Sequence, residues 1–205
     1  MGDDLVLNRN NVSVRGSDGR ALVFAHGFGC DQHMWKDVAR KFEADFQVVL
    51  FDHVGAGRSD LSAYDSAKYS TLNGYASDLV EIGDALDLRN AVVIGHSVSA
   101  MIAALASIKR PDLFSEIVMV GPSPRYIDDD DYFGGFSKAQ IEELLSFLDE
   151  NHLGWSAAMA PQIMGNDDRP ELGERLKKSF CATDPDIARE FARVTFYGDN
   201  RKDLT

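Results

Sequence analysis

The residues best suited to chemistry stand at 95–99, where the sequence reads GHSVS directly after the apolar run 91–94. A hydroxyl between small residues at the end of a buried strand is typical of the sharp strand-to-helix turn that exposes a serine nucleophile. The helix that follows would direct its N-terminal amides toward a developing oxyanion. We therefore predict that Ser97 is a catalytic nucleophile. The match to G-x-S-x-G is incomplete, because Ser99 stands where the second glycine is usual.

A second loop of suitable composition, HGFG at 26–29, follows the apolar run 21–25. Such a loop can bring a backbone N–H beside the serine turn. We expect the N–H groups of Phe28 and Val98 to form the oxyanion hole, where loss of one donor typically costs about a hundred- to a thousandfold in rate.

Other interpretations of these residues stay open. A serine before a helix is more often an N-cap than a nucleophile. A dinucleotide loop is not indicated, because Gln32 and Asp60 stand where a third glycine is needed. The histidines lack metal-ligand spacing, and Cys30 lacks an evident activating base, so we expect neither a metal nor a cofactor. The histidines are His26, His33, His53, His96 and His152.

Composition restricts the class of protein. The chain has 205 residues, enough for one domain, with 44% hydrophobic residues and a formal net charge of −12. That charge argues against nucleic-acid and anionic-membrane partners, which attract basic surfaces. No apolar stretch approaches the roughly 18 residues of a membrane helix. Only two cysteines are present, Cys30 and Cys181, which fits the cytoplasm.

The elements expected to position these residues alternate between strand and helix. An opening β-hairpin is predicted over 5–20, followed by buried strands at 21–29, 47–55, 91–95 and 116–124. Helices are predicted at 31–42, 72–86 and 100–110. Continuous apolar strands separated by helices predict a parallel sheet covered on both faces, in an α/β fold.

Beyond Pro124 the pattern changes to four helical segments, of which the first opens with a capping box at Ser137 and Gln140. Four helices after the fourth buried strand indicate a cap over one edge of the sheet. We therefore expect residues 1–124 to form the N-terminal part of the core, 125–198 the helical cap, and 199–205 the start of a return to the core.

Five segments resemble one group of α/β-hydrolases, that of the bacterial stress regulator RsbQ and the plant karrikin and strigolactone receptors. They read HGFGCDQHMW, LFDHVGAGRSD, LNGYASDL, GHSVSAMIAALASIKRPDLFSEIVMVGPSPRY and DYFGGF, and the likeness runs from Asn8 to Leu204. The resemblance implies an α/β-hydrolase core, a V-shaped cap over an apolar pocket, and Ser97 as nucleophile. It also implies the following pocket-lining residues: His96, Ser123, Tyr126, Phe28, Phe136, Trp155, Met159, Phe180 and Phe196.

The resemblance further implies slow hydrolysis of small hydrophobic esters or lactones. It implies a role in stress signalling with a PAS-containing phosphatase as partner. The alternative is a sensor of a small apolar ligand that signals by protein contact, with little or no hydrolysis.

The chain departs from the group at the proton acceptor. In this fold the triad acid and histidine follow the serine, after the cap. No histidine follows His152, while Asp199 and Asp203 come too early to be the acid. His96 precedes the serine, and its side chain should project sideways. We expect the family's C-terminal strands and helices to be missing from this chain, one sheet edge to be unpaired, and the chain itself to be nearly inactive.

Overall fold

The computed structural model describes residues 2–204, which contain a five-stranded mixed sheet in the order β1-β3-β2-β4-β5. Strand β1 runs antiparallel to β3, and the other neighbours are parallel. The α/β fold predicted from the sequence is therefore confirmed. The strands are β1 (Ser13–Gly16), β2 (Ala21–Ala25), β3 (Gln47–Leu50), β4 (Ala91–His96) and β5 (Phe114–Val120).

The three central strands are short and apolar, as strands covered on both faces should be. In their register, Val23 lies opposite both Val49 and Val93. These valines face one apolar core, and their neighbours Leu22 and Val48 face a second core on the other side of the sheet. Strand β5 lies at the edge of the sheet and pairs with no second strand within residues 2–204.

Within residues 2–204 the sheet is accompanied by eight α-helices. The helices of the first half are α1 (Gly2–Arg9), α2 (Lys36–Ala39), α3 (Leu72–Ala85) and α4 (Val98–Lys109). Helices α3 and α4 cover the larger core with their apolar sides. The helix expected over 31–42 is shorter than predicted, because a 3₁₀ turn over Gln32–Trp35 precedes α2.

The predicted opening hairpin is wrong. Residues 5–9 belong to helix α1, and β1 pairs with β3 instead of with the segment before it. The helix is held by long-range contacts, since Val6 packs against the larger core and Arg9 pairs with Asp78. Asn11 then reverses the chain with a left-handed backbone of φ 46. Local alternation of apolar residues could not reveal these partners.

Four helices follow β5, as predicted: α5 (Lys138–Glu150), α6 (His152–Met164), α7 (Pro170–Ala182) and α8 (Pro185–Tyr197). The capping box at Ser137 and Gln140 is present. Proline stands at the first position of both α7 and α8, where its missing N–H costs nothing. These helices share a separate apolar cluster. The division of the chain at 124/125 and 198/199 stays a prediction.

A buried carboxylate joins the start of the chain to helix α3. Asp78, whose side chain is 1% exposed, accepts hydrogen bonds from Tyr69 Oη at 2.8 Å and Lys68 Nζ at 2.6 Å, and lies 3.1 Å from an Arg9 nitrogen. A buried charge that loses its partners is costly, so these contacts depend on one another.

We expect Asp78→Ala to lower the free energy of unfolding by about 3 kcal/mol, because it leaves the Arg9 and Lys68 cations without their shared partner in a partly buried site. Urea unfolding followed by circular dichroism measures the change. The control is Asp84→Ala on the same helix, where the lost ion pair with Arg110 is largely exposed. Equal losses in the two variants would contradict a special role for Asp78.

Candidate active site

Ser97 occupies a strained turn between β4 and α4. Its backbone has φ 56 and ψ −124, and its side chain makes no capping hydrogen bond to the helix. Such a conformation costs a non-glycine residue of order 1–3 kcal/mol and is typical of functional sites. Gly95 is required beside it, because a Cβ there would lie 2.4 Å from the Ser99 carbonyl oxygen. The N-cap interpretation of Ser97 therefore does not hold.

The loop after β2 lies directly against this turn. A Cβ on Gly27 would lie 2.6 Å from His96 Nδ1 and 3.3 Å from Ser97 Cβ, so only glycine allows the approach. Phe28 follows, and its N–H donates no backbone hydrogen bond within residues 2–204. Val98 is the first residue of α4, where an N–H has no partner inside the helix. Two N–H groups are thus available near Ser97.

Ser97 Oγ lies 3.3 Å from Tyr126 Oη, and no histidine in the described part of the chain hydrogen-bonds to it. The neighbouring His96 is half-buried, and its ring lies 6.3 Å from that of Trp35. Burial, with a smaller contribution from His26, lowers the pKa of His96. The expected sideways position of His96 agrees with these contacts.

Aromatic rings from the cap surround Phe28. Its ring centroid lies 6.0 Å from that of Trp155, 6.1 Å from those of Phe180 and Phe196, and 5.7 Å from that of Phe191. Tyr126 and Met159 pack against the same apolar cluster. Most of the predicted pocket residues are therefore brought together, and Phe191 is an additional member that the sequence analysis did not name.

Three predicted pocket residues lie outside this cluster, namely His96, whose ring lies near Trp35, Ser123 and Phe136. Ser123 Oγ donates to the carbonyl oxygen of Arg125 at 2.9 Å. Phe136 has 38% of its surface exposed, and its N–H donates to the Tyr126 carbonyl oxygen at 3.2 Å. Ser123 and Phe136 belong to the connection between β5 and α5.

The cap contacts the loop after β2 through α7. Ser179 Oγ donates to the Gly29 carbonyl oxygen at 2.8 Å, and the Phe180 ring packs on Gly29 where a Cβ would lie 2.1 Å away. Gly29 also has φ +67, which favours glycine. The loop beside Ser97 is consequently fixed on its outer side by the cap.

Behind the loop, His26 and His53 are fully buried with ring centroids 4.6 Å apart. The backbone N–H of His53 donates to His26 Nε2 at 3.1 Å, and the ring atom His53 Nε2 lies 2.8 Å from Ser99 Oγ. Burial lowers the pKa of both imidazoles, that of His53 strongly. Sequence analysis missed this cluster, although all three residues follow buried strands that are neighbours in the sheet.

The far end of the same loop is held by Asp52, which is fully buried. Its carboxylate accepts the N–H of Gln32 at 2.8 Å, the N–H of Arg58 at 2.9 Å and the amide of Asn11 at 2.7 Å. Cys30 lies in this loop too, and burial raises the pKa of its thiol to about 12. A thiol of that pKa stays protonated, which agrees with a packing role for Cys30.

Two general features complete the description of residues 2–204. No group of three or more His, Cys, Asp or Glu side chains there is arranged to hold a metal ion. No helix in that range is both long and apolar enough to cross a bilayer.

The fold and the strained serine turn define a class of protein. Residues 20–159 match the profile of the family described as having the alpha/beta hydrolase fold. The chain therefore belongs to the α/β-hydrolase family, as predicted.

Relatives place the chain in one group of that family. It is 40% identical over 198 residues to a probable esterase of rice, covering 96% of this chain and 73% of the relative. It is 39% identical to a strigolactone esterase of Arabidopsis thaliana (98% and 75% covered) and 38% to the karrikin insensitive 2 receptor CA of Petunia hybrida (96% and 73%). The chain is thus an α/β-hydrolase of the karrikin and strigolactone receptor group.

Solved structures agree with this assignment. A hydrolase from Oleispira antarctica superposes with a TM-score of 0.96 at 44% identity, covering 100% of this chain and 75% of that one. An esterase from Exiguobacterium antarcticum superposes with a TM-score of 0.85 at 19% identity, with 94% and 71% covered, and supports the fold alone.

The buried histidines predict how stability depends on pH. Because the folded protein lowers the pKa of His53, the unfolded chain binds the proton more readily, and stability falls as pH drops below about 6.5. We expect His53→Gln to reduce this slope by up to about 1.4 kcal/mol per pH unit. Urea unfolding between about pH 7.5 and 5.5 measures it.

The matched control is His33→Gln, since the His33 side chain is 64% exposed. An unchanged slope in His53→Gln, or the same change in both variants, would show that the burial of His53 does not govern the pH dependence.

Proposed function

We propose that the protein is a serine hydrolase of small hydrophobic ester or lactone compounds, with Ser97 as nucleophile. The observation that carries the proposal is the backbone of Ser97, held at φ 56 between a strand and a helix without any capping bond. A partly buried hydroxyl that is held at such strain and does not cap the helix is available for reaction. The esterase names of two relatives support the same conclusion.

In the proposed reaction Ser97 Oγ attacks the carbonyl carbon, and the oxyanion accepts hydrogen bonds from the N–H groups of Phe28 and Val98. The alcohol then leaves, and water cleaves the acyl-serine. Neither N–H group has a backbone hydrogen-bond partner within residues 2–204, which supports this assignment. Tyr126 Oη is the polar neighbour of Ser97 Oγ, and the surrounding aromatic rings favour a small, uncharged, apolar substrate.

The lack of a base beside Ser97 Oγ limits the proposed rate of hydrolysis by this chain. Since no histidine within residues 2–204 contacts Ser97 Oγ, general-base assistance is absent from that part of the molecule. An oxyanion hole and binding alone leave about a thousand- to ten-thousandfold catalysis over water. We therefore propose that the 205-residue chain acylates slowly and deacylates slowly.

A second candidate function is a small-molecule sensor with little or no hydrolysis. The observation that favours it is the partner of Ser97 Oγ, which is Tyr126 and not a base, inside a wall of aromatic rings. The receptor names of the Petunia relatives agree with ligand binding as a function in this group.

The remaining parts of the proposal come from the sequence. A role in stress signalling like that of RsbQ, with a PAS-containing phosphatase as partner, comes from the resemblance. A cytoplasmic location comes from the scarcity of cysteines, and both Cys30 and Cys181 are free thiols in the structure.

The hydrolase proposal predicts a trapped acyl-enzyme. With p-nitrophenyl acetate we expect slow release of p-nitrophenol and accumulation of an acetyl ester on Ser97, because attack is assisted by the oxyanion hole and deacylation lacks a base. Mass spectrometry of the peptide that carries Ser97 detects the ester, and Ser97→Ala should lack it.

Acetylation of the other serines serves as the internal control. If Ser97 is not acetylated faster than they are, its role as nucleophile is rejected. Turnover above about 1 s⁻¹, which is typical of efficient enzymes, would instead reject the proposed lack of a base.

The sensor proposal predicts saturable binding without chemistry. Trp155 is fully buried against Phe28 and Phe180, so a ligand near Ser97 should change its fluorescence. We expect γ-phenyl-γ-butyrolactone to give a saturable change in a Trp35→Phe protein, where Trp155 is the remaining tryptophan.

The change should persist when Ser97→Ala is added and vanish in Trp155→Phe, whose signal comes from Trp35. A response that is linear in lactone concentration, or equal in the two single-tryptophan proteins, would contradict a binding site beside Trp155.

A further inference from the structure

A connected set of hydrogen bonds lies behind the loop that follows β2. Ser99 Oγ donates to the carbonyl oxygen of His26 at 2.5 Å and lies 2.8 Å from His53 Nε2. The backbone N–H of His53 donates to His26 Nε2 at 3.1 Å, and His26 Nδ1 lies 2.9 Å from the Gly27 carbonyl oxygen. Ser99, His26 and His53 are all buried, with at most 1% of their surface exposed.

The positions of the protons follow from the partners. Ser99 has one hydroxyl proton, and the His26 carbonyl can only accept, so His53 Nε2 must donate to Ser99 Oγ. His26 Nε2 accepts from a backbone N–H, so the His26 proton resides on Nδ1 and is donated to the Gly27 carbonyl. His26 is therefore neutral with its proton on Nδ1, whereas His53 carries a proton on Nε2 and its Nδ1 has no partner among the described residues.

The hydrogen bond from His26 Nδ1 to the Gly27 carbonyl oxygen acts on the Gly27–Phe28 peptide, which carries the proposed oxyanion donor. The Gly27 carbonyl and the Phe28 N–H belong to one planar trans peptide, in which they point in opposite directions. Holding the carbonyl toward His26 Nδ1 therefore holds the N–H away from that ring. The Gly27 backbone packs against Ser97 at this point, and the peptide is fixed where the reaction would occur.

We propose that Ser99 is a positioning residue of the oxyanion hole, which acts through His53 and His26 to orient the Phe28 N–H. The inference rests on the proposed function for the role of that N–H. It assigns a purpose to the one departure from G-x-S-x-G: the hydroxyl of Ser99 joins the start of α4 to the residues that follow β2 and β3. Replacing the Ser99 hydroxyl by a hydrogen, as in alanine, would leave the buried Nε2–H of His53 without an acceptor. It would also leave the His26 carbonyl oxygen without the Ser99 donor.

The alternative is that Ser99 is present only because it is small. Gly95 packs against the Ser99 backbone, so a small residue would satisfy the turn equally well without a hydroxyl. The two explanations make different predictions for Ser99→Ala, which keeps the size and removes the hydrogen bonds.

The experiment compares the full 205-residue chain with its Ser99→Ala and Ser107→Ala variants. Ser107 is the matched control, because it lies on the same helix and its hydroxyl is buried without a partner among the described residues. The first readout is the rate at which p-nitrophenyl acetate acetylates Ser97, measured by mass spectrometry. The second is the NMR signature of the two imidazoles and the hydrogen exchange of the Phe28 amide.

We expect Ser99→Ala to slow acetylation of Ser97 about tenfold or more, a smaller loss than removal of a whole oxyanion donor. We also expect faster exchange of the Phe28 amide and a changed ¹⁵N signal of His53 Nε2. Ser107→Ala should alter neither readout. Circular dichroism and thermal unfolding confirm that both variants are folded at the assay temperature.

The outcomes separate this inference from the proposed function. If the parent chain acetylates Ser97 and Ser99→Ala does so at the same rate, the positioning role is overturned and the nucleophile stands. If the parent chain does not acetylate Ser97, the proposed function fails. The Phe28 exchange and His53 spectra then still decide whether Ser99 holds the loop, and unchanged values in Ser99→Ala would overturn that too.

Discussion

The backbone of Ser97 is the constraint on which the site depends. A serine at φ 56 and ψ −124 is unfavourable by itself, so the surrounding structure must hold it. The Ser97 N–H donates to the Val120 carbonyl of β5, Gly95 admits the backbone of α4, and Gly27 admits the loop on the opposite side. Each contact requires either a glycine or a main-chain hydrogen bond. The Ser97 hydroxyl is therefore positioned by main-chain geometry more than by its own side-chain contacts.

The cap and the loop beside Ser97 form one packed unit. Phe28 follows Gly27 in the loop, yet its ring belongs to the aromatic cluster of the cap. Gly29 accepts a hydrogen bond from Ser179 and is covered by Phe180, both on α7. A movement of α7 would consequently disturb the loop that packs against Ser97. A ligand that shifts the cap would therefore also shift the loop beside Ser97. This coupling applies to both proposed functions, hydrolysis and signalling.

How far the sequence predicts this molecule depends on the range of the interactions. The turn at Ser97 is encoded locally, by an apolar run that ends in small residues, and the sequence predicts it at the position where the structure has it. The helix over 2–9 is not predicted, because Arg9 finds its partner Asp78 some seventy residues away. The contact of Ser99 with His53 escapes prediction for the same reason: it joins the start of α4 to the loop after β3, which only the sheet order brings together.

The two candidate functions differ in one requirement: efficient hydrolysis needs an acceptor for the Ser97 proton, and ligand sensing does not. Tyr126 Oη at 3.3 Å can donate to Oγ or accept from it, but a phenol is a poor base near neutral pH. The nearby imidazoles cannot substitute: those of His26 and His53 are committed to holding the loop, and burial disfavours their protonation. Within residues 2–204 the hydrogen-bond partner of Ser97 Oγ is therefore a phenol and not a base, which is why the proposed acylation is slow. In the proposed site the aromatic walls and the oxyanion donors are distinct from the group that would accept the Ser97 proton, so ligand binding and catalysis are separable properties.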